Sequence, residues 1–264
     1  MKLSVIVPGI RPQNWEELYF SVGLPMSDFE MIFVGPESPK VFGSWFYASK
    51  YIKSFRSPNA AQQQGLMAAT GDYITFAADD GIFLPGALDH AFELLNIINA
   101  LTPSEEPSYK RIVIGKYLEG DTPHPDMLKE DYYRFKYHKA YRIPGVPQEN
   151  LIFNCGIISR KFMLDLGGWD AQNFECTTMA HADLGIRAFK AGAEMILMDK
   201  VMFKCSHEPR QTGTHGPIHR AQTRRDEPTF KRIYSNPKVY ADRIKIPLDN
   251  WEKTPEIWSE RFGK

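Results

Sequence analysis

Residues 71–81 have the sequence GDYITFAADDG, in which β-branched and aromatic side chains lead into two adjacent aspartates. This run predicts a strand over 72–77 that carries Asp79 and Asp80 beyond its carboxyl end. Adjacent carboxylates repel each other unless a cation lies between them or solvent screens them. Mg²⁺ and Mn²⁺ take such oxygen ligands and bridge to phosphates. On this segment alone, a metal site and a plain Asp-rich turn both remain open.

Two continuous apolar runs, 3–7 (LSVIV) and 29–34 (FEMIFV), predict strands that are covered on both faces, as in a parallel sheet. They stop at Pro8 and at Gly35. The helices predicted between and after the strands cover residues 14–22, residues 62–70 with Gly71 as the capping glycine, and a segment that begins at Pro85. Because strand and helix alternate, the pattern predicts an α/β sheet with right-handed crossovers. Ligands of such sheets bind beyond the carboxyl ends of the strands.

The second half of the chain is less periodic. Its predicted elements are a strand at 111–115, ordered structure at 151–158, a helix from 159 to the Gly167-Gly168 pair, a helix near 181–191 and a strand at 194–198. Residues 119–149 are polar and aromatic, which predicts a long loop that is either functional or poorly ordered. From residue 209 onward the chain is predicted to be loop-like and basic.

The composition excludes some classes of protein. With 32 Lys and Arg against 32 Asp and Glu, the chain lacks the basic surplus of a nucleic-acid binder. No apolar run approaches the roughly 20 residues of a membrane-spanning helix, and the three cysteines form no CxxC pair, so we expect a cytoplasmic protein. Residues 209–264 hold 12 Lys and Arg against 7 Asp and Glu, a surplus of +5, which leaves −5 for residues 1–208.

The order of the motifs resembles family 2 glycosyltransferases of the GT-A fold. The matching segments are SVIVP (4–8), FEMIFVG (29–35), AQQQG (61–65), ATGDYI (69–74), ADD (78–80), NCG (154–156) and LGGWD (166–170). The resemblance covers residues 1–208, divided into a nucleotide-sugar half (1–101) and an acceptor half (102–208). Residues 209–264 would be a basic extension that closes over both.

The resemblance implies an activity and a set of site residues. A sugar would pass, with inversion, from a nucleoside-diphosphate sugar (UDP- or GDP-sugar) to a hydroxyl of a glycan, a lipid-linked glycan or a protein, assisted by Mn²⁺ or Mg²⁺. Donor-binding residues would be Pro8, Gly9, Arg11, Gly35, Glu37, Gln62, Gln63 and Asp79. Metal ligands would be Asp80 and His207. Acceptor residues would be Asn154, Trp169 and Asp170, and Arg210 and His215 would belong to a lid over the diphosphate.

The chain departs from the family pattern at several positions. Gly35 and Ala77 stand where the family commonly has Asp, Gln62 stands in place of an Arg, and His181 stands at the position of the catalytic Asp. Three interpretations remain open for the predicted helix near 181–191. His181 is the general base, or Asp183 is the base and His181 orients it or the acceptor, or His181 merely caps the helix and Asp183 pairs with Arg187.

These departures keep two alternative functions open. The first is a catalytically inactive nucleotide-sugar binding protein. The second is a sugar-phosphate nucleotidyltransferase, although the glycine-rich N-terminal loop of that class is missing from the sequence.

Overall fold

The computed structural model describes residues 1–40, 43–102, 108–119, 153–205 and 213–263. Within these residues the strands form one eight-stranded sheet of order β3-β2-β1-β4-β7-β6-β8-β5. The strands are β1 (Leu3–Pro8), β2 (Phe29–Gly35), β3 (Ser49–Lys53), β4 (Tyr73–Phe76), β5 (Gly81–Phe83), β6 (Arg111–Glu119), β7 (Gly156–Ser159) and β8 (Glu194–Cys205). The pairs β1–β2, β1–β4, β2–β3 and β6–β8 are parallel, and the other three are antiparallel. The predicted mostly parallel α/β sheet is confirmed.

The helices connect and cover these strands. They are α1 (Trp15–Ser21), α2 (Ser44–Tyr47), α3 (Pro58–Ala68), α4 (Ala87–Leu101), α5 (Arg160–Leu166), α6 (Thr177–Lys190), α7 (Gly216–Ala221), α8 (Glu227–Tyr234) and α9 (Pro237–Tyr240). Short 3₁₀ segments lie at Pro12–Asn14, Ser108–Lys110, Gly213–His215 and Asn250–Lys253, and a π-helical turn lies at Gln222–Asp226. No helix in the described part of the chain combines the length and the apolar composition needed to cross a membrane.

Alternating side chains of β1 pack into two apolar cores on opposite faces of the sheet. Ile6 packs in a core that α3, α5, α6 and α8 complete. Val5 and Val7 face the other core, which α1 and α4 cover, and there Trp15 stacks on Phe33 at 4.3 Å between ring centroids. The continuous apolar character of the first strand therefore reflects burial on both faces, as the sequence predicted.

The backbone register brings the carboxyl ends of three parallel strands together. Pro8 of β1 pairs with Val34 of β2, and Ile6 pairs with Phe76 of β4. Beyond the ladder, the first two strands approach so closely that a Cβ on Gly35 would lie 1.9 Å from the carbonyl oxygen of Gly9. Position 35 must therefore be glycine in this conformation.

The structure corrects several details of the sequence prediction. Helix α3 begins at Pro58 because the Ser57 hydroxyl caps it by accepting from the Ala60 N–H, and it ends before residue 70. Gly71 does not cap this helix. It is needed for close approach, because a Cβ there would lie 2.7 Å from the carbonyl oxygen of Lys2. Strands β3 and β5 were not predicted.

The prediction that the chain is loop-like from residue 209 is wrong for residues 213–240. This region forms α7, α8 and α9, and Phe230, Ile233 and Tyr234 of α8 are buried in the same core as α3 and α6. The amphipathic spacing of these three residues drives the helix onto the sheet domain. The predicted loop over 119–149 falls almost entirely outside the described residues.

Candidate functional site

A cavity of about 240 Å³ opens at the carboxyl ends of β1, β2 and β4. Eight of the residues selected from the sequence line it, namely Pro8, Gly9, Arg11, Gly35, Asp79, Asp80, Asn154 and His215. The structure thus brings together residues that are up to two hundred positions apart in the chain. Of the lid residues, His215 lies in the cavity wall, whereas Arg210 is outside the described residues, as is the predicted metal ligand His207.

Asp79 is buried at the floor of the cavity and is held by the turn that follows β1. Its Oδ2 accepts hydrogen bonds from the backbone N–H groups of Ile10 and Arg11, at 2.6 and 2.5 Å. Its Oδ1 pairs with Nη1 of the Arg11 guanidinium at 2.5 Å. Burial raises the pKa of Asp79, and the charge of Arg11 and the two N–H groups act against that increase. Both carboxylate oxygens are therefore occupied.

Asp80 contacts a different set of residues. Its Oδ2 lies 3.1 Å from Nε2 of His215 and 3.7 Å from Nη2 of Arg11, while Oδ1 accepts from the Cys205 thiol at 3.1 Å. Burial alone would raise the pKa of Asp80, but the hydrogen bond to His215 and the charge of Arg11 outweigh burial and lower it. The group is consequently an anion at neutral pH, with two cationic or potentially cationic neighbours.

The C-terminal segment forms one wall of the cavity. The segment is fixed by a parallel bridge between Phe55 and Ile257, and the Trp258 N–H donates to the Phe55 carbonyl at 2.8 Å. From there Trp258, Arg261 and Phe262 reach the lining. The sequence does not indicate these residues, because two aromatic side chains and an arginine carry no local signal of a site that is distant in the chain.

Arg56, which also lines the cavity, was likewise missed. Its guanidinium lies over the ring of Trp251 at 5.4 Å and donates to the carbonyl oxygen of Thr254. These contacts attach the C-terminal segment to the loop between β3 and α3. The wall is therefore held to the sheet domain by hydrogen bonds as well as by packing.

His181, one of the two predicted base residues, does not line the cavity. It is fully buried, with Nε2 at 2.7 Å from the Gln62 amide nitrogen, and its ring packs edge-on against Phe76 and stacks near Trp169. Burial lowers its pKa to about 3, so the imidazole is neutral at physiological pH. Its role as a base remains a prediction, and its position favours a packing role.

Asp183 is also fully buried and does not line the cavity. Its Oδ2 accepts from Arg187 at 2.7 Å, and its Oδ1 accepts from the Tyr234 hydroxyl at 2.6 Å and from Arg243 at 2.8 Å. Burial alone would raise its pKa, but the charges of Arg187 and Arg243 lower it. The interpretation in which Asp183 pairs with Arg187 matches this geometry, with Arg243 as a second partner that the sequence did not indicate.

The remaining selected residues do not line the cavity. Gln63 accepts from the Trp169 N–H at 2.8 Å and donates to the Gly167 carbonyl at 3.0 Å, and Trp169 is fully buried. Asp170 accepts from Arg243. These contacts fix the turn after α5 to α3, which is a structural arrangement. Glu37 is exposed and outside the lining.

The described residues do not fit the divalent ion that the family resemblance implies. Among them, no group of three or more His, Cys, Asp or Glu side chains could hold a metal. Asp79 has both oxygens in hydrogen bonds, and a guanidinium already lies beside both carboxylates. Within the described residues the cation beside both carboxylates is therefore the Arg11 guanidinium, and the predicted ligand His207 lies outside them.

The sheet order and the position of the cavity define an α/β protein of the GT-A type. No protein-family model and no curated protein matches the sequence. Solved structures that match it include S. aureus TarS 1–349, with 17% identity, a TM-score of 0.50 and 78% of this chain covered. The same TarS chain in complex with UDP gives 13% identity, a TM-score of 0.52 and 80% coverage, and in complex with UDP-GlcNAc 17%, 0.50 and 81%.

The chain spans about three fifths of the TarS 1–349 chain, with 60%, 62% and 60% covered in the three structures. At identities this low the likeness establishes the fold alone. The function must therefore be argued from the cavity itself.

Proposed function

We propose that the chain is a glycosyltransferase that moves a sugar, with inversion, from a nucleoside-diphosphate sugar to a hydroxyl of a glycan, a lipid-linked glycan or a protein. One observation carries the proposal: the Asp79-Asp80 pair lies in a cavity at the carboxyl ends of three parallel strands. This is the edge at which α/β sheets bind nucleotides. A UDP-sugar is the first candidate donor, because the fold is shared with TarS, which has been solved with UDP and UDP-GlcNAc.

The charges around the cavity suit a diphosphate. Among the described lining residues, Arg11, Arg56 and Arg261 outnumber the two aspartates, and His215 and His219 lie in the same wall. Fixed cations in a water-poor site stabilise the negative charge that develops on a departing nucleoside diphosphate. The nucleoside would lie against the strand ends at Pro8, Gly9 and Gly35, and Asn154 would face the acceptor.

A second candidate is a nucleotide-sugar binder without transferase activity. The burial of His181 and Asp183 outside the cavity lining favours it, since a general base must reach the acceptor hydroxyl. If the chain is nevertheless active, its base is another residue, and the imidazole of His219 in the cavity lining is one candidate.

A two-stage measurement separates these functions. The unfolding temperature is recorded with UDP-, GDP-, CMP- and dTDP-sugars, with and without Mn²⁺, and release of the nucleoside diphosphate is then followed by chromatography. We expect stabilisation by a UDP-sugar and slow release of UDP. Stabilisation without release or transfer would establish the binder, and stabilisation by no nucleotide sugar would refute both candidates.

Matched variants locate the binding site in the same assay. Asp80→Asn changes a lining carboxylate, whereas Asp165→Asn removes a similar charge from the exposed face of α5, where Asp165 pairs with Lys161. We expect the stabilisation by ligand to change in the first variant, because Asp80 holds Arg11 and His215 in the cavity wall, and to stay unchanged in the second. Equal stabilisation of both variants would place the nucleotide outside this cavity.

A further inference from the structure

The guanidinium of Arg11 joins three groups in the cavity. Nη1 pairs with Asp79 at 2.5 Å, and Nη2 donates to the Thr214 hydroxyl at 2.5 Å and lies 3.7 Å from Asp80. The backbone N–H of Arg11 also donates to Asp79, so the backbone from which the Arg11 side chain extends is itself hydrogen-bonded to Asp79. Only 14% of the side chain is exposed. Arg11 is therefore a largely buried partner of both carboxylates.

We propose that Arg11 is the resident cation of the Asp79-Asp80 pair and that this site binds a diphosphate without a divalent metal ion. The inference rests on the proposed function, because it concerns how that donor is held. It departs from the metal assistance that the family resemblance implies. The planar guanidinium can donate to two acceptors at once in a fixed geometry. A lysine ammonium is a point charge on a flexible chain and does not fix that geometry.

The charge balance explains why a second cation is disfavoured. A divalent ion at Asp80 would lie beside the Arg11 guanidinium, which is 3.7 Å from Oδ2, so it would meet repulsion from that cation as well as attraction to the carboxylates. Mg²⁺ also gives up its water ligands reluctantly, and Asp79 already accepts two backbone N–H groups and the Arg11 guanidinium.

A second arginine extends the same cationic surface toward the cavity mouth. Arg261 donates to the carbonyl oxygen of Thr214, whose hydroxyl accepts from Arg11. Both arginines and His215 line the cavity. A diphosphate that enters here would meet fixed cationic donors of the kind used for planar recognition of phosphate.

Titration with Mn²⁺ tests whether Asp79 and Asp80 bind a metal ion or are already neutralised by Arg11. Binding is measured by electron paramagnetic resonance on the full chain without nucleotide, for the wild type, Arg11→Gln, Arg11→Lys and the exposed-charge control Lys161→Gln. We expect no stoichiometric Mn²⁺ site in the wild type, in Arg11→Lys or in the control, and about one site in Arg11→Gln, because that change exposes two carboxylates without a cation. One Mn²⁺ per wild-type chain would overturn the proposal. Unfolding temperatures show whether each variant is folded, and Arg11→Lys keeps the charge if Arg11→Gln fails to fold.

Calorimetry with UDP separates this proposal from the proposed function. We expect the wild-type dissociation constant in EDTA and in Mn²⁺ to agree within about threefold, and Arg11→Gln to bind at least about tenfold more weakly in EDTA. UDP binding that requires Mn²⁺ would overturn the proposal and leave the function intact. If no nucleotide binds under either condition, the function fails, and the Mn²⁺ titration still decides the occupant of the carboxylate pair.

Discussion

Replacing Asp183 by Asn should separate a structural carboxylate from a catalytic one. The side chain is fully buried and bonded to Arg187, Arg243 and the Tyr234 hydroxyl. Asn can still accept from Tyr234, but it leaves two buried guanidinium groups without their counter-charge. Removing one partner of a buried ion pair costs about 3–5 kcal/mol, and the free energy of unfolding of a domain is only about 5–15 kcal/mol.

Urea unfolding followed by tryptophan fluorescence measures this loss. The matched control is Asp165→Asn, since Asp165 forms an exposed pair with Lys161 whose loss should cost at most about 1 kcal/mol. Turnover is then measured per folded molecule at low temperature. We expect Asp183→Asn to be markedly less stable and to keep turnover within about threefold of the wild type, because the carboxylate does not reach the cavity. Wild-type stability combined with a loss of turnover of about 100-fold or more would refute this reasoning and establish Asp183 as the base.

The pH dependence of stability gives the same prediction a second test. The pKa of Asp183 is lower in the folded chain than its ordinary value of 3.8, because Arg187 and Arg243 overcome the effect of burial. The folded state therefore gains stability above pH 4 and loses it as the pH falls through the folded pKa. Asp183→Asn should lack this part of the acid transition, whereas Asp165→Asn should retain it.

Two further predictions concern His181 and the C-terminal wall. His181→Asn should keep turnover and lose about 1–3 kcal/mol of stability in urea unfolding, because the buried contact with Gln62 is disturbed. Since burial lowers the folded pKa of His181 to about 3 from 6.5, this group makes the wild type lose stability as the pH falls from 6.5 toward 3, and the variant should lack that contribution. A pH limb of turnover that disappears in the variant would contradict this. Trp258→Ala should lower the free energy of unfolding by about 3–5 kcal/mol, because Trp258 is buried and donates to Glu175. Calorimetry should also show weaker UDP binding by this variant, because Trp258 forms part of the cavity wall. Unchanged UDP affinity would mean that the C-terminal wall does not contact the ligand.

The sequence predicted those parts of the fold that short-range patterns specify. The runs 3–7 and 29–34 are apolar without interruption because both faces of their strands are covered, and the position of Asp79 after its strand follows from the same local pattern. The strand ends are neighbours in the sheet, so most of the donor side of the cavity could be found from the sequence.

Other features depend on partners distant in the chain. Nothing near Asp183 indicates that Arg243, sixty residues later, will neutralise it. The helix that contains Phe230, Ile233 and Tyr234 had a readable signal in its apolar spacing, but the basic composition of the region concealed it. The sequence could place Arg11 just beyond the end of the first strand, whereas its contact with both aspartates requires the folded turn after β1.

The glycine at position 35 and the arginine at position 11 belong to one structural arrangement. The Gly9 N–H extends the β1–β2 ladder by donating to the Val34 carbonyl at 3.0 Å, which brings the Gly9 carbonyl against Gly35. A Cβ on Gly9 would itself lie 3.1 Å from Oδ2 of Asp79, so the turn is tight on both sides. This turn aims the backbone and side chain of Arg11 at Asp79.

Restoring the family residue with Gly35→Asp should therefore fail to improve nucleotide binding. The new Cβ would lie 1.9 Å from the Gly9 carbonyl, so the turn must move and the Arg11 contacts with Asp79 must lengthen. We expect a loss of at least about 1–3 kcal/mol of stability from overpacking and weaker binding of UDP in EDTA. The Gly35→Ala variant carries the same Cβ without a charge and should lose a similar amount. Tighter UDP binding by Gly35→Asp would show that the turn yields easily and that the donor site follows the family pattern after all.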